Sequence, residues 1–135
     1  MPRLRSHMNL NQVTLPSKNV ERSAAFYRLL GFRQIVSDLP RYVRFECMDG
    51  GATFSLHEVT SPVAAEVIVY FECDDLDGEY ARLGALGVAF EAPPKDQSWL
   101  WREAYLRDPD DNLICLYHAG VNRRFPPWRI AAPDQ

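Results

Sequence analysis

Two rhythms of apolar and polar positions alternate along the chain in a fixed order. Residues 19–32, NVERSAAFYRLLGF, read as an amphipathic helix, and residues 75–88, DLDGEYARLGALGV, repeat that helix at a constant offset of 56. Asn19 falls on Asp75, Val20 on Leu76, Ala25 on Ala81, Leu30 on Leu86 and Gly31 on Gly87. Asn19 and Asp75 carry side-chain oxygens suited to the first free N–H groups of a helix, and each glycine stands where a left-handed residue ends one. Around the helices the period changes to two. Segments 9–15, 33–38, 41–47 and 52–58 in the first copy, and 66–73, 88–92, 101–107 and 112–118 in the second, read as strands. The chain is therefore an internal duplication, βαβββ twice, with TSPVAA as the linker and PPKDQSW and DPDDN as turn-rich connections.

Alternation also assigns faces. Val67, Val69, Phe71 and Cys73 share an apolar side, which leaves Ile68, Tyr70 and Glu72 on the other; Phe54 and Leu56 likewise oppose Thr53, Ser55 and His57. Ile114 and Leu116 are expected under a helix. Gln12, Thr14, Tyr42, Arg44, Glu103, Tyr105, Leu113, Cys115 and Tyr117 are left for the side away from the helices. A one-residue slip of register would bury His57 and expose Leu56, so the assignment is strongly constrained.

Composition changes the picture mainly by exclusion. At 135 residues, with 47% hydrophobic and 24% charged positions, the chain suits one globular domain. A net charge of −3 with interspersed signs supplies no basic stripe for a phosphate backbone, so nucleic acid is not an expected partner. MPRLRSHMNL is basic but lacks an apolar run of signal-peptide length, and no stretch is long enough to span a bilayer; the protein reads as cytoplasmic, without a membrane partner. Cys47, Cys73 and Cys115 fit free thiols in a reducing compartment.

LNQVTLP…NVERSAAFYRLLGF and VYFECDDLDGEYARLGALGV…EAYLRDPDDNLICLYHAG resemble the vicinal oxygen chelate (VOC) superfamily, which contains glyoxalase I, extradiol dioxygenases and the bleomycin and fosfomycin resistance proteins. The likeness spans residues 9–119 as one domain, module one at 9–58 and module two at 66–118, followed by a C-terminal arm at 120–135. It implies an α+β fold in which two βαβββ modules form a curved, incomplete barrel with a ligand on its concave face, commonly in a homodimer. In the metal-dependent relatives four ligands come from the first and last strand of each module. Those positions here are Gln12, Ser55, Ile68 and Cys115, of which Ile68 cannot coordinate and Cys115 would do so only as a thiolate. No cofactor is therefore expected. A divalent metal at a rebuilt cluster of Gln12, His57 and Cys115 is the alternative, as is a base–nucleophile pair of His57 and Cys115, with Glu103 a further catalytic candidate.

The expected ligand is a small organic molecule lying against Gln12, Thr14, Arg44, Ser55, His57, Tyr70, Trp101, Glu103, Tyr105, Cys115 and Tyr117, an aromatic and polar lining in which Arg44 suits an acidic group. Whether the chain is an enzyme with an altered metal site or a metal-free protein that sequesters an antibiotic or metabolite stays open at this point. Trp99, Trp101 and Arg102 lie on or beside a Pro-rich loop placed to form a lid. Phe125, Trp128 and Ile130 should anchor the arm on its own barrel or on a partner subunit, with Arg123, Arg124 and Arg129 at the rim.

Overall fold

The computed structural model describes residues 10–61 and 67–131. Both helices form where the repeat places them. In α1 (Val20–Leu30) the Asn19 side chain accepts the Arg22 N–H at 3.0 Å, and in α2 (Leu76–Ala85) Asp75 accepts the Gly78 N–H at 3.0 Å. Gly31 and Gly87 follow at φ 109° and 90°, a left-handed conformation that a side chain would strain.

The strands make two four-stranded sheets of the same design. In module one, β1 (Gln12–Ser17) runs parallel to β4 (Thr53–Glu58), which pairs antiparallel with β3 (Tyr42–Glu46), and β2 (Arg33–Asp38) closes the order β1-β4-β3-β2. In module two, β5 (Ile68–Glu72), β6 (Lys95–Asp96), β7 (Arg102–Arg107) and β8 (Leu113–His118) give β5-β8-β7-β6.

Three readings need correction. The strand expected at 88–92 is a single bridge, Phe90 to Leu106, and the true edge strand is the two-residue β6. Pro93 and Pro94, which lack N–H donors, separate the two, so no continuous ladder can run through them. β1 begins at Gln12 rather than near residue 9, which itself lies outside the described residues together with most of the linker, residues 62–66. The arm, described through residue 131, does not bury its anchors on its own barrel, one of the two places expected for them. After a short 3-10 turn at Gly120–Arg123, Phe125 and Trp128 stay 54% and 56% exposed.

The apolar faces of both sheets and both helices share one core. Tyr27, Phe45, Phe54, Leu56, Leu83, Leu106 and Ile114 are buried in it, and full burial of an aliphatic or aromatic side chain contributes roughly 1.5–3 kcal/mol. The modules meet through this face: the Phe71 ring lies 4.7 Å from Phe32 and 5.2 Å from Phe54, centroid to centroid. A polar latch adds to the seam. Asp108 accepts the Tyr27 hydroxyl at 2.7 Å, the Asn112 side-chain amide at 2.8 Å, and the N–H groups of Asp110 and Asn112 at 2.9 and 2.8 Å. Asn112 also donates to the Pro16 carbonyl, and Asp110 accepts from the Lys18 N–H and the Ser23 hydroxyl. Asp111 sits at φ 68° in this turn, the left-handed conformation that Asp tolerates.

Candidate functional site

With the apolar faces turned inward, each sheet presents its polar side outward. In module one the side chains of β1, β3 and β4 form one connected network. Gln12 Nε2 donates to Ser55 Oγ at 2.8 Å, and its amide oxygen accepts the Thr53 hydroxyl. Ser55, fully buried, lies 2.5 Å from the Tyr42 hydroxyl, and Arg44 Nε donates to that same hydroxyl at 2.9 Å. Strand register explains the grouping: Gln12 is opposite Thr53, Thr14 opposite Ser55, and Arg44 opposite Ser55 from the other side. Burial disfavours the Tyr42 phenolate, but hydrogen bonds from Ser55 and Arg44 and the Arg44 charge outweigh it, so the phenol is more acidic than usual. The Arg44 guanidinium has no ion-pair partner among the described residues and remains available to an anion.

Module two presents aromatic rings. Trp101 stacks on Tyr117 at 4.6 Å with planes 20° apart, and Tyr70 stands edge-on to both at 5.9 and 5.6 Å. Beside them Glu103, 3% exposed, accepts from Trp99 Nε1 and the Tyr105 hydroxyl, each at 3.2 Å. Cys115 lies between Tyr70 and Tyr105 in the strand register and is fully buried. Burial, reinforced by the Glu103 charge, pushes its thiol up to about 12, so it is protonated at neutral pH. Burial raises the Tyr105 and Tyr117 phenols as well.

The sequence-predicted site residues thus divide in two. Gln12, Thr14, Arg44, Ser55 and His57 share one face, and Tyr70, Trp101, Glu103, Tyr105, Cys115 and Tyr117 share the other. Among the described residues no hydrogen bond or ring contact joins one set to the other. His57 is exposed near the end of β4, paired in register with Tyr42 and Pro16, and makes no hydrogen bond among the described residues. Its register partner on β1 is Pro16, four residues along from Gln12, and no hydrogen bond joins it to Cys115 or Gln12. The structure adds Thr53, which holds the Gln12 amide; alternation had placed it on the side of Ser55 and His57, and the register sets it across from Gln12. Trp99 is not a free lid residue, because its indole N–H is committed to Glu103.

The four positions that would hold a metal by family resemblance do not fit one. The Gln12 amide is engaged by Ser55 and Thr53, Ser55 offers a neutral hydroxyl, Ile68 offers no donor, and the Cys115 thiol holds its proton. Among the described residues no three His, Cys, Asp or Glu side chains come together as an alternative.

The chain is similar to known proteins throughout this architecture. YraH of Bacillus subtilis (strain 168), an uncharacterized protein, is 29% identical over 128 residues, covering 82% of this chain and 98% of its own. A bleomycin-binding protein solved in complex with bleomycin superimposes with a TM-score of 0.69 at 25% identity, over 82% of this chain and 98% of that one. Lactoylglutathione lyase from Agrobacterium tumefaciens gives 0.72 at 19% identity, over 87% and 98%, a likeness of fold alone. No helix among the described residues is long and apolar enough to cross a membrane. The model of the Glyoxalase/Bleomycin resistance protein/Dioxygenase superfamily matches residues 9–116, and with the duplicated βαβββ architecture this places the chain in that superfamily.

Proposed function

We propose that this protein binds a small organic molecule, with a flat ring and an acidic group, without a metal ion. The observation that carries the reading is the pair of complementary half-sites. One is a polar network ending in the unpaired Arg44, and the other an aromatic wall of Tyr70, Trp101 and Tyr117. Because one chain turns these faces away from a common core, a second copy supplies the missing half, and the working unit is a homodimer with the ligand between module one of one copy and module two of the other. The ring packs on the Trp101–Tyr117 side and the acidic group meets Arg44. The structural neighbour that holds bleomycin supports a role in binding or sequestration, and three free cysteines support a reducing, cytoplasmic setting.

An enzymatic reading keeps one observation in its favour. The Tyr42 phenol, made more acidic by Ser55 and Arg44, is suited to pass a proton to or from a bound molecule.

A calorimetric screen of aromatic carboxylates, with and without chelator, tests the proposal. Binding should survive chelation and weaken on Arg44→Ala and on Trp101→Ala. Ligands that bind only after a divalent metal is added would defeat it.

A further inference from the structure

The C-terminal arm and a groove at the module junction border the proposed cavity, the groove sharing only Tyr70 with it, and each has what the other lacks. The groove, about 720 Å³, opens between the β3–β4 turn and the start of α2. Its floor is apolar, with Phe32, Cys47, Phe71, Cys73 and Leu83, and its rim is acidic: Asp49 and Asp74 have no ion-pair partner among the described residues, while Glu72 and Glu79 are already engaged by Arg123 and Arg82. Arg82, the one basic residue lining it, is occupied by Glu79 and the Leu30 carbonyl. The arm is apolar and basic. Val121, Phe125, Trp128 and Ile130 are 69, 54, 56 and 89% exposed, and Arg124 and Arg129 stand over the Phe125 ring at 5.6 and 4.3 Å.

The arm is also aimed. Glu72 accepts the N–H groups of Ala119 and Gly120 at 2.8 Å each, Arg123 lies 3.9 Å from the same carboxylate, and Trp101 Nε1 donates to the Asn122 carbonyl at 3.4 Å. These contacts fix its base on the polar side of module two, the side that faces a second copy in the proposed dimer. Turns closed by Phe125 N–H to Val121 and Arg129 N–H to Pro126 follow, and Phe125 and Trp128 stay more than half exposed.

We propose that the arm, residues 120–131, docks into the acid-rimmed groove of a second copy of this chain, its Phe125 and Trp128 rings on the apolar floor and Arg124 and Arg129 at the rim. The inference rests on the homodimer reading above. Charge complementarity selects the occupant, since the arm is basic where the groove is acidic, and reciprocal docking closes a two-fold assembly.

Charge reversal tests it in the full chain. One variant carries Asp49→Arg and Asp74→Arg in the groove, the other Arg124→Glu and Arg129→Glu in the arm; none of these residues belongs to the proposed ligand cavity. Each variant alone should dimerise about tenfold or more weakly than the unaltered chain by sedimentation. Mixed together they should form heterodimers well above the statistical half seen by native mass spectrometry, because only the mixed pair matches both arms to both grooves. A statistical mixture would overturn the proposal. So would variants that lose thermal stability while keeping dimer affinity, which would place the arm in its own groove. So would unchanged dimers that instead lose binding of benzyltrimethylammonium, which would make the groove a small-cation site. If the unaltered chain is monomeric at every concentration, the homodimer reading itself falls; if it is dimeric but the variants mix statistically, only the arm docking does.

Discussion

Two turns occupy equivalent places in the duplicated chain, and they do opposite things. The β7–β8 turn, Asp108–Asn112, is tied to module one through Tyr27, Ser23, Lys18 and Pro16. The β3–β4 turn, residues 47–52, faces module two across the open groove. The offset of 56 shows why: 27 plus 56 is 83 and 23 plus 56 is 79, so α2 offers Leu83 and Glu79 where α1 offers Tyr27 and Ser23. Leucine has no hydroxyl to donate, and a glutamate repels the Asp49 that the turn presents. Gly50 and Gly51 add no side chain. Duplication has kept a turn at each junction while its side chains, and those of the facing helix, made one a latch and the other an opening.

The largest expected effect is at the latch. Asp108→Ala strands the Tyr27 hydroxyl and the donors of Asp110 and Asn112, and should cost about 3 kcal/mol in urea unfolding, whereas Asp49→Ala in the equivalent turn should stay within about 0.5 kcal/mol. Equal losses would erase the contrast. Tyr27→Phe removes one donor from the latch and keeps the packed ring; about 1 kcal/mol should be lost.

Thiol chemistry separates the two regions without mutation. Cys47 and Cys73 line the groove and are half-buried, while Cys115 is fully buried on the polar face with its thiol pushed up to about 12. Under a disulfide reagent at pH 8, Cys115 should react last, by about tenfold or more. Burial also pushes Cys73 up, to about 11, so Cys47 should lead.

A smaller effect concerns pH. Burial raises the Asp108 carboxyl above its ordinary 3.8, despite the hydrogen bonds from Asn112, Tyr27 and Asp110 that lower it. The folded protein therefore holds this proton more tightly than the unfolded chain. The associated stability is present in acid and lost as pH rises through the raised value. Asp108→Asn, which cannot ionise, should accordingly improve relative to the unaltered chain between pH 4 and pH 7. An opposite trend would mean that the latch prefers its carboxylate more than burial opposes it.

Much of this fold was legible because the repeat carries its own punctuation. Asn19, Asp75, Gly31 and Gly87 mark helix ends whatever lies around them, and the period of two put Phe54, Leu56 and Ile114 in the shared core and left Cys115 outside it. The edge at 88–92 misled because apolar residues there pack without a ladder once Pro93 and Pro94 intervene. The site was legible one face at a time. Parity assigns Arg44 and Tyr117 to polar faces, but only the packing of Phe71 on Phe32 and Phe54 shows those faces turned apart. The arm was legible only as apolar: Phe125 and Trp128 signal burial, and within one chain both stay more than half exposed.

The central claim is that the Gln12 corner is a hydrogen-bonding wall of an organic-ligand cavity rather than one ligand of a metal site. Metal content of protein purified and dialysed without chelator, compared with its Gln12→Ala variant, tests this most directly. Both should carry well under one equivalent of nickel, zinc, manganese, iron or magnesium, and adding those ions should give no thermal stabilisation, where a bound ion at a hundredfold excess over its dissociation constant would contribute about 2.7 kcal/mol. One equivalent of metal in the unaltered protein, lost on Gln12→Ala, would contradict the claim.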